Sequence, residues 1–212
     1  MYGCPLIVDT RTAFSLFSLS MYVGLDMSLT SPGITILDKK SKTVSLLFIP
    51  QRVSERMLTF ETDYAGYHYT IRPVSGEMAP RTSSQDTRIY YIVQSISKEL
   101  AALPRPISVI IEGYAFGMRS SSHSILHELG GALKCKLFQM GIPYTTTAPT
   151  SVKKMFANDG RASKRVMYEK FLSVTHIDLF CVFRMQDKSI GLKIPTPIQD
   201  IVDSFALVAQ HL

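Results

Sequence analysis

Four carboxylates in this chain are placed where they could gather a metal ion. Asp26 ends the apolar run Met21-Tyr22-Val23-Gly24-Leu25, and Glu112 ends the run Ile107-Ser108-Val109-Ile110-Ile111. Asp200 and Asp203 open the apolar segment that finishes the sequence. A carboxylate closing a buried strand costs on the order of several kcal/mol unless a cation or hydrogen bonds compensate it. Two strand-end acids, joined by an i,i+3 acidic pair that one helical turn puts on the same side, make a set of converging ligands for Mg²⁺. Each acid alone has a plainer reading. Asp26 could cap a turn, Glu112 could pair with a neighbouring Arg, and Asp200 could be a first-turn acid facing a helix dipole. Asp203 lies among Ile201, Val202, Phe205 and Ala206, where an unpaired charge is less tolerable.

The basic residues add to this pattern. Residues 113–170 hold nine Lys/Arg (Arg119, Lys134, Lys136, Lys153, Lys154, Arg161, Lys164, Arg165, Lys170) against three acids (Glu128, Asp159, Glu169), so the whole net charge of +6 lies there. A basic block directly after Glu112 points to a polyanionic partner near the acids, against the alternative of a solvated helix face. Lys164 stands at the predicted start of a helix behind Asn158-Asp159-Gly160, and an ammonium at a helix N-terminus suits a phosphate. Lys153 lies eleven residues earlier. Lys154, Arg161 and Arg165 fit general contacts to a phosphate backbone.

Tyr114 and Phe116 sit between Gly113 and Gly117, in a loop that Arg119 and Ser120-Ser121-Ser122 extend. An exposed aromatic there could stack on an unpaired base, worth ~1–3 kcal/mol, or it could pack into the core. His123 and His127 have i,i+4 spacing, but no third ligand lies near and the stretch is not HExxH, which argues against zinc. Tyr64, Tyr67, His68, Tyr69 and Arg72 could touch nucleic acid, but they read better as one face of an inserted strand.

These residues need elements to hold them. Residues 21–25, 33–37 and 43–49 read as three strands, the last two joined by the turn Asp38-Lys39-Lys40-Ser41-Lys42. Residues 50–83 lack a clean period and contain Pro50, Pro73 and Pro80; they are expected to be an insertion with one strand over 67–71. Ile89, Ile92, Val93, Ile96 and Leu100 predict a helix over 84–103, stopped by Pro104. Strand four is 107–111. Ile125, Leu126, Leu129, Leu133 and Leu137 predict a helix over 122–140. Its Gly130-Gly131-Ala132 centre costs helix propensity, ~1 kcal/mol per Gly, so another backbone is expected to approach closely there. A short strand over 143–147, a helix from about Ser163 and a terminal helix over 198–212 complete the order.

A chain of 212 residues with 46% hydrophobic and 19% charged content is an ordered globular domain. Cys4, Cys135 and Cys181 form no CxxC pattern and fit reduced thiols in a cytoplasmic protein. No run approaches the ~18 apolar residues of a membrane span, and residues 1–20 lack a secretory pattern, which leaves them as an N-terminal arm.

Over roughly residues 21–212 the motifs resemble the RuvC family of Holliday-junction resolvases, and its bacteriophage-type members in particular. The resemblance rests on Gly24-Leu25-Asp26-Met27-Ser28-Leu29-Thr30-Ser31-Pro32-Gly33, then Ile111-Glu112-Gly113-Tyr114-Ala115-Phe116-Gly117, then His127-Glu128-Leu129-Gly130-Gly131. Pro149-Thr150-Ser151-Val152-Lys153-Lys154, Ala162-Ser163-Lys164 and Asp200-Ile201-Val202-Asp203-Ser204-Phe205-Ala206 follow in the same order. It implies an α/β, ribonuclease-H-like mixed sheet: the first three strands antiparallel, later ones parallel, and helices on both faces. The nuclease domain would span 21–212, with its insertion at about 50–83.

By the same resemblance Asp26, Glu112, Asp200 and Asp203 would be a metal-binding tetrad for two Mg²⁺ ions, with Mn²⁺ able to substitute, and Lys164 would assist at the scissile phosphate. The implied activity is structure-selective DNA hydrolysis at four-way junctions and other branched DNA, in recombination and repair. A homodimer formed through the 122–140 helix would do this work, without a membrane, in the cytoplasm (a bacterial host's if a phage encodes it). Ala115 stands where cellular members carry a junction-probing Phe, with Tyr114 and Phe116 on either side. Two other readings remain open at this level: a less selective flap or RNA–DNA nuclease, and a junction-binding protein without catalysis.

Overall fold

The structure is a computed structural model that describes residues 19–50, 58–75, 83–114, 121–185 and 194–212. The arm at 1–18, parts of the insertion (51–57 and 76–82), and the loop carrying Phe116 and Arg119 lie outside the described residues. β1 (Met21–Asp26), β2 (Gly33–Asp38) and β3 (Thr43–Phe48) form the expected antiparallel meander. In the turn after β2, Asp38 accepts from the Lys40 backbone N–H (2.9 Å) and the Ser41 hydroxyl (2.8 Å), so its polar residues close the hairpin locally.

The inserted region holds two strands where one was expected. β4 (Phe60–Tyr64) and β5 (Tyr67–Pro73) form an antiparallel hairpin, and β5 pairs parallel with β3. Ala65 and Gly66 both take positive φ (51° and 81°), as a two-residue primed turn requires. Ala is a poor signal for that turn, which hides β4 from a reading of local sequence.

α1 (Gln85–Ala101), β6 (Ile107–Glu112), α2 (Ser121–Gln139) and β7 (Tyr144–Thr147) follow close to their predicted bounds. Ser84 caps α1 by accepting from the Thr87 N–H. Two helices went unanticipated: α3 (Pro149–Ala157), which starts with Pro in its first turn, and the short α5 (Leu179–Val182), capped by Asp178. α4 (Lys164–Thr175) begins after the N-cap Ser163 as expected, and α6 (Ile198–Val208) ends in a 3-10 turn at Ala209–His211.

The seven strands make one mixed sheet in the order β4-β5-β3-β2-β1-β6-β7. β1, β6 and β7 run parallel at one side, and the meander is antiparallel, so the expected fold class holds. Each face has its own core. One joins Val23, Leu25, Val109 and Ile111 to Ile92 and Ile96 of α1 and to Leu129 and Leu133 of α2. The other joins Leu46, Phe48, Ile71 and Ile110 to Phe156, Phe171, Ile201 and Phe205 of α3, α4 and α6. Among the described residues no helix is long and apolar enough to cross a membrane.

Candidate active site

Strand parity aims the first two acids. Side chains alternate between faces along a strand, so Asp26 projects on the face of Gly24, and Glu112 on the face of Ile110. That face carries α6, whereas Leu25 and Ile111 point to the α1–α2 core. β1 and β6 are in register with Leu25 opposite Ile111, so the next residue on each strand is an acid. The two carboxylates therefore end adjacent parallel strands, side by side, beneath one helix.

Two glycines let that helix come close. A Cβ on Gly24 would overlap the Ser204 carbonyl oxygen, and one on Gly33 would overlap the Asp200 carbonyl. These positions must lack a side chain for α6 to lie directly on β1 and β2. Below the helix the Thr35 and Ser204 hydroxyls meet at 2.9 Å, both buried, and Ser204 donates to the Ile201 carbonyl (2.9 Å). This packing presses the first turns of α6 onto the strand ends and brings Asp200 and Asp203 to Asp26 and Glu112.

The resulting cluster is strongly acidic, with Asp26 and Asp200 buried and Glu112 and Asp203 half-buried. Asp26 is only 8% exposed and Asp200 only 5%. Burial, then repulsion from Asp203, Glu112 and Asp200, holds the Asp26 carboxyl well above the usual carboxylate range. Burial followed by repulsion from Asp203 pushes both Glu112 and Asp200 up to about 7. Asp203 is raised by burial itself. Asp26 lies within hydrogen-bonding reach of both Glu112 and Asp200. Among the described residues no three acids or histidines already enclose one ion position. The donor set fits a hard divalent ion nonetheless. All four groups are oxygen ligands, and Asp200 Oδ2 is buried with no hydrogen-bond partner.

Cations rim the acids. Lys164 attracts Glu112, Asp200 and Asp203, and Lys153 on α3 attracts Glu112 and Asp203. The structure thus brings both sequence-nominated lysines to the carboxylates. The Lys164 ammonium donates to Gln199 Oε1 at 2.5 Å, and Gln199 Nε2 donates to Asp203 Oδ2 at 3.0 Å. Gln199 escaped the sequence reading, although its i,i+4 spacing to Asp203 was a usable signal. Lys154 and Arg161 are exposed nearby, the Arg161 backbone N–H donating to Asp159. Arg165 is engaged with Glu169 at 2.9 Å and lies 6.0 Å from the Tyr168 ring centre.

Tyr114 follows the packing alternative that the sequence left open. Its ring lies tilted at 37° to that of His127, with centroids 4.2 Å apart, and its hydroxyl donates to the Leu126 carbonyl at 2.5 Å. A Cβ on Gly130 would strike that hydroxyl. Tyr114 is therefore seated against α2, in room that the missing side chain of Gly130 leaves. Gly131 on the opposite side meets nothing. The Tyr64–His68 segment behaves as a strand face: Tyr64 stacks on His176 (4.1 Å), His68 pairs with Asp63 (2.8 Å), and Tyr69 is buried. Arg72 clamps the buried Glu99 of α1 through two hydrogen bonds.

No protein-family model matches the chain, and no curated protein sequence matches it. Solved structures do. Thermus thermophilus RuvC in complex with Holliday junction substrate is similar over 91% of this chain and 94% of that one, at 14% identity and a TM-score of 0.53. The yeast mitochondrial Holliday junction resolvase is similar over 92% of this chain and 79% of its own, at 11% identity and a TM-score of 0.50. The likeness is one of fold, and the fold of this chain is the ribonuclease-H-like fold of RuvC.

Proposed function

We propose that the chain is a Mg²⁺-dependent, structure-selective DNA endonuclease that hydrolyses phosphodiesters at four-way junctions, with Mn²⁺ as an alternative ion. The observation that carries this reading is the convergence of four carboxylates from β1, β6 and α6 into one mutually repelling cluster, two of them buried and two half-buried. Such a cluster is unfavourable at neutral pH unless cations join it, and its only ligand atoms are hard oxygens. Asp26, Glu112, Asp200 and Asp203 would hold the ions. Bound there, Mg²⁺ supplies activation of the attacking water and stabilisation of the leaving oxygen.

The protein's own groups do the rest. Lys164 offers an ammonium at the first turn of α4, where the helix N-terminus adds its own attraction for a phosphate oxygen. Lys153 supplies a second positive charge from α3, and Lys154 and Arg161 extend the basic surface on which a phosphate backbone can lie. The fold shared with two junction resolvases favours branched DNA over RNA–DNA hybrids as the substrate. Symmetric cutting of two strands needs two such sites, and the outer face of α2 is suited to a homodimer contact. Gly131 is open there and Phe138 is 83% exposed. The free thiols of Cys135 and Cys181 suit the cytoplasm as the enzyme's place of work.

The test is incubation with labelled four-way junction, flap and RNA–DNA duplex, each with Mg²⁺ or with Ca²⁺. Paired nicks in the junction with Mg²⁺, and binding without cutting in Ca²⁺, are expected. Equal cutting of all three substrates would replace the junction reading with a general nuclease. No cutting with any divalent ion would remove the enzymatic reading.

A further inference from the structure

We infer that Gln199 is a positioning residue that ties the ammonium of Lys164 to the carboxylate of Asp203, so that a phosphate-binding group and an ion ligand act as one unit. The inference rests on the reading of Asp203 as an ion ligand given above. Gln199 and Asp203 are four residues apart on α6 and share a face of the helix. The amide stands between two opposite charges: Oε1 accepts from Lys164 Nζ at 2.5 Å, and Nε2 donates to Asp203 Oδ2 at 3.0 Å. Turning the amide over would put its N–H groups against an ammonium and its oxygen against a carboxylate. Both contacts would then repel, so the two charges together select one orientation.

Among the described residues Lys164 makes no direct ion pair, and it meets the acids through this amide. That arrangement has two consequences. The carboxylate of Asp203 is fixed in rotation by a donor on one oxygen, as groups behind an ion ligand commonly do. The Lys164 ammonium is held close to the acids without being consumed by one of them, and it keeps donor capacity for a phosphate oxygen. Few side chains can fill the place. Asn is a methylene shorter, Glu would oppose Asp203, and Met has the length but neither hydrogen bond.

The experiment uses the whole chain with Gln199→Met, with Gln199→Ala as a second variant in case the first unfolds, and with Lys164→Ala alone and combined with Gln199→Met. Three quantities are read: Mn²⁺ affinity of the DNA-free protein by calorimetry, junction affinity in Ca²⁺, and single-turnover cleavage in Mg²⁺. Gln199→Met should bind Mn²⁺ and cleave roughly 10–100-fold less well while junction affinity is unchanged, a split that simple loss of packing would not give. Because the two residues share one contact, the double variant should lose less than the product of the two single losses, keeping only the extra loss that comes through Asp203. Wild-type Mn²⁺ affinity and turnover in Gln199→Met, or losses that multiply in the double variant, would overturn the inference alone. A wild-type protein that binds no divalent ion would instead overturn the reading of the acids, and the inference with it.

Discussion

Replacing Glu112 by Gln should make the ion-free protein more stable while destroying its activity. In the folded chain Glu112 is raised from its ordinary 4.5 to about 7 by burial and then by Asp203. Between those values the folded state keeps a proton that the unfolded state has released. The contribution of Glu112 to the stability of the ion-free protein is therefore fullest below about pH 4.5, falls as pH rises, and levels off above about pH 7. The rise from 4.5 to about 7, at ~1.36 kcal/mol for each tenfold change in proton affinity, sets a ceiling of roughly 3 kcal/mol for this one group. Asp200 does not simply add to it, because both shifts contain repulsion from the same Asp203.

Gln keeps the shape and a hydrogen bond to Asp26 but cannot ionise. At about pH 8, without divalent ions, a gain of about 1–3 kcal/mol is expected, or roughly 3–9 °C in Tm for a chain of this size. At about pH 4 the two proteins should melt together, since both are then neutral at this position. Mg²⁺ at about a hundred times its Kd should stabilise the wild type by about 2.7 kcal/mol and the variant by much less. Thermal unfolding across this pH range, with and without Mg²⁺, measures all three. Parallel pH profiles for the two proteins, or a variant that is less stable at about pH 8, would refute the charge-cluster account of the site.

Asp26→Asn should abolish junction cleavage while binding in Ca²⁺ survives or tightens, because a repulsive charge is removed from beside the phosphate; gel-shift and cleavage assays on one preparation decide this. Lys164→Ala should lose more turnover than affinity, whereas Lys154→Ala with Arg161→Ala should weaken binding and flatten its salt dependence by roughly one unit of log–log slope for each phosphate left unneutralised. Gly33→Ala should cost several kcal/mol, on the order of other overpacking or core disruptions, and lower activity further than stability explains; its Cβ would collide with the Asp200 backbone and lift that ligand away. Gly131→Leu should fold at least as well as the parent, since it replaces a helical glycine facing open space, yet sediment as a monomer that nicks one strand without resolving paired strands.

Periodicity alone determined much of this protein. The strand-end positions of Asp26 and Glu112 follow from apolar runs that stop at an acid, and their shared face follows from strand alternation. The spacing of Ile89, Ile92, Val93, Ile96 and Leu100 defines α1, and the i,i+3 spacing of Asp200 and Asp203 on a terminal helix was equally plain. These are short-range signals, because a helix or strand is shaped mainly by its own neighbours. The hairpin of β4 and β5 was half lost, because its turn uses Ala65 at positive φ and is sustained by pairing with distant β3. Other features depended wholly on contacts between remote parts of the chain. Gly24 and Gly33 read as ordinary glycines until α6 is laid on them, and the Thr35–Ser204 hydroxyl pair joins residues 169 positions apart. The Gly130-Gly131 step divides in three dimensions, one glycine admitting Tyr114 and the other facing outward. The Lys164–Gln199–Asp203 chain spans two helices whose mutual placement no local pattern encodes. Sequence nominates which residues can do chemistry, because residue type and local spacing are written in it. Which of them meet is decided only when packing brings α6 onto the strand ends, because that approach depends on the shape of both surfaces at once.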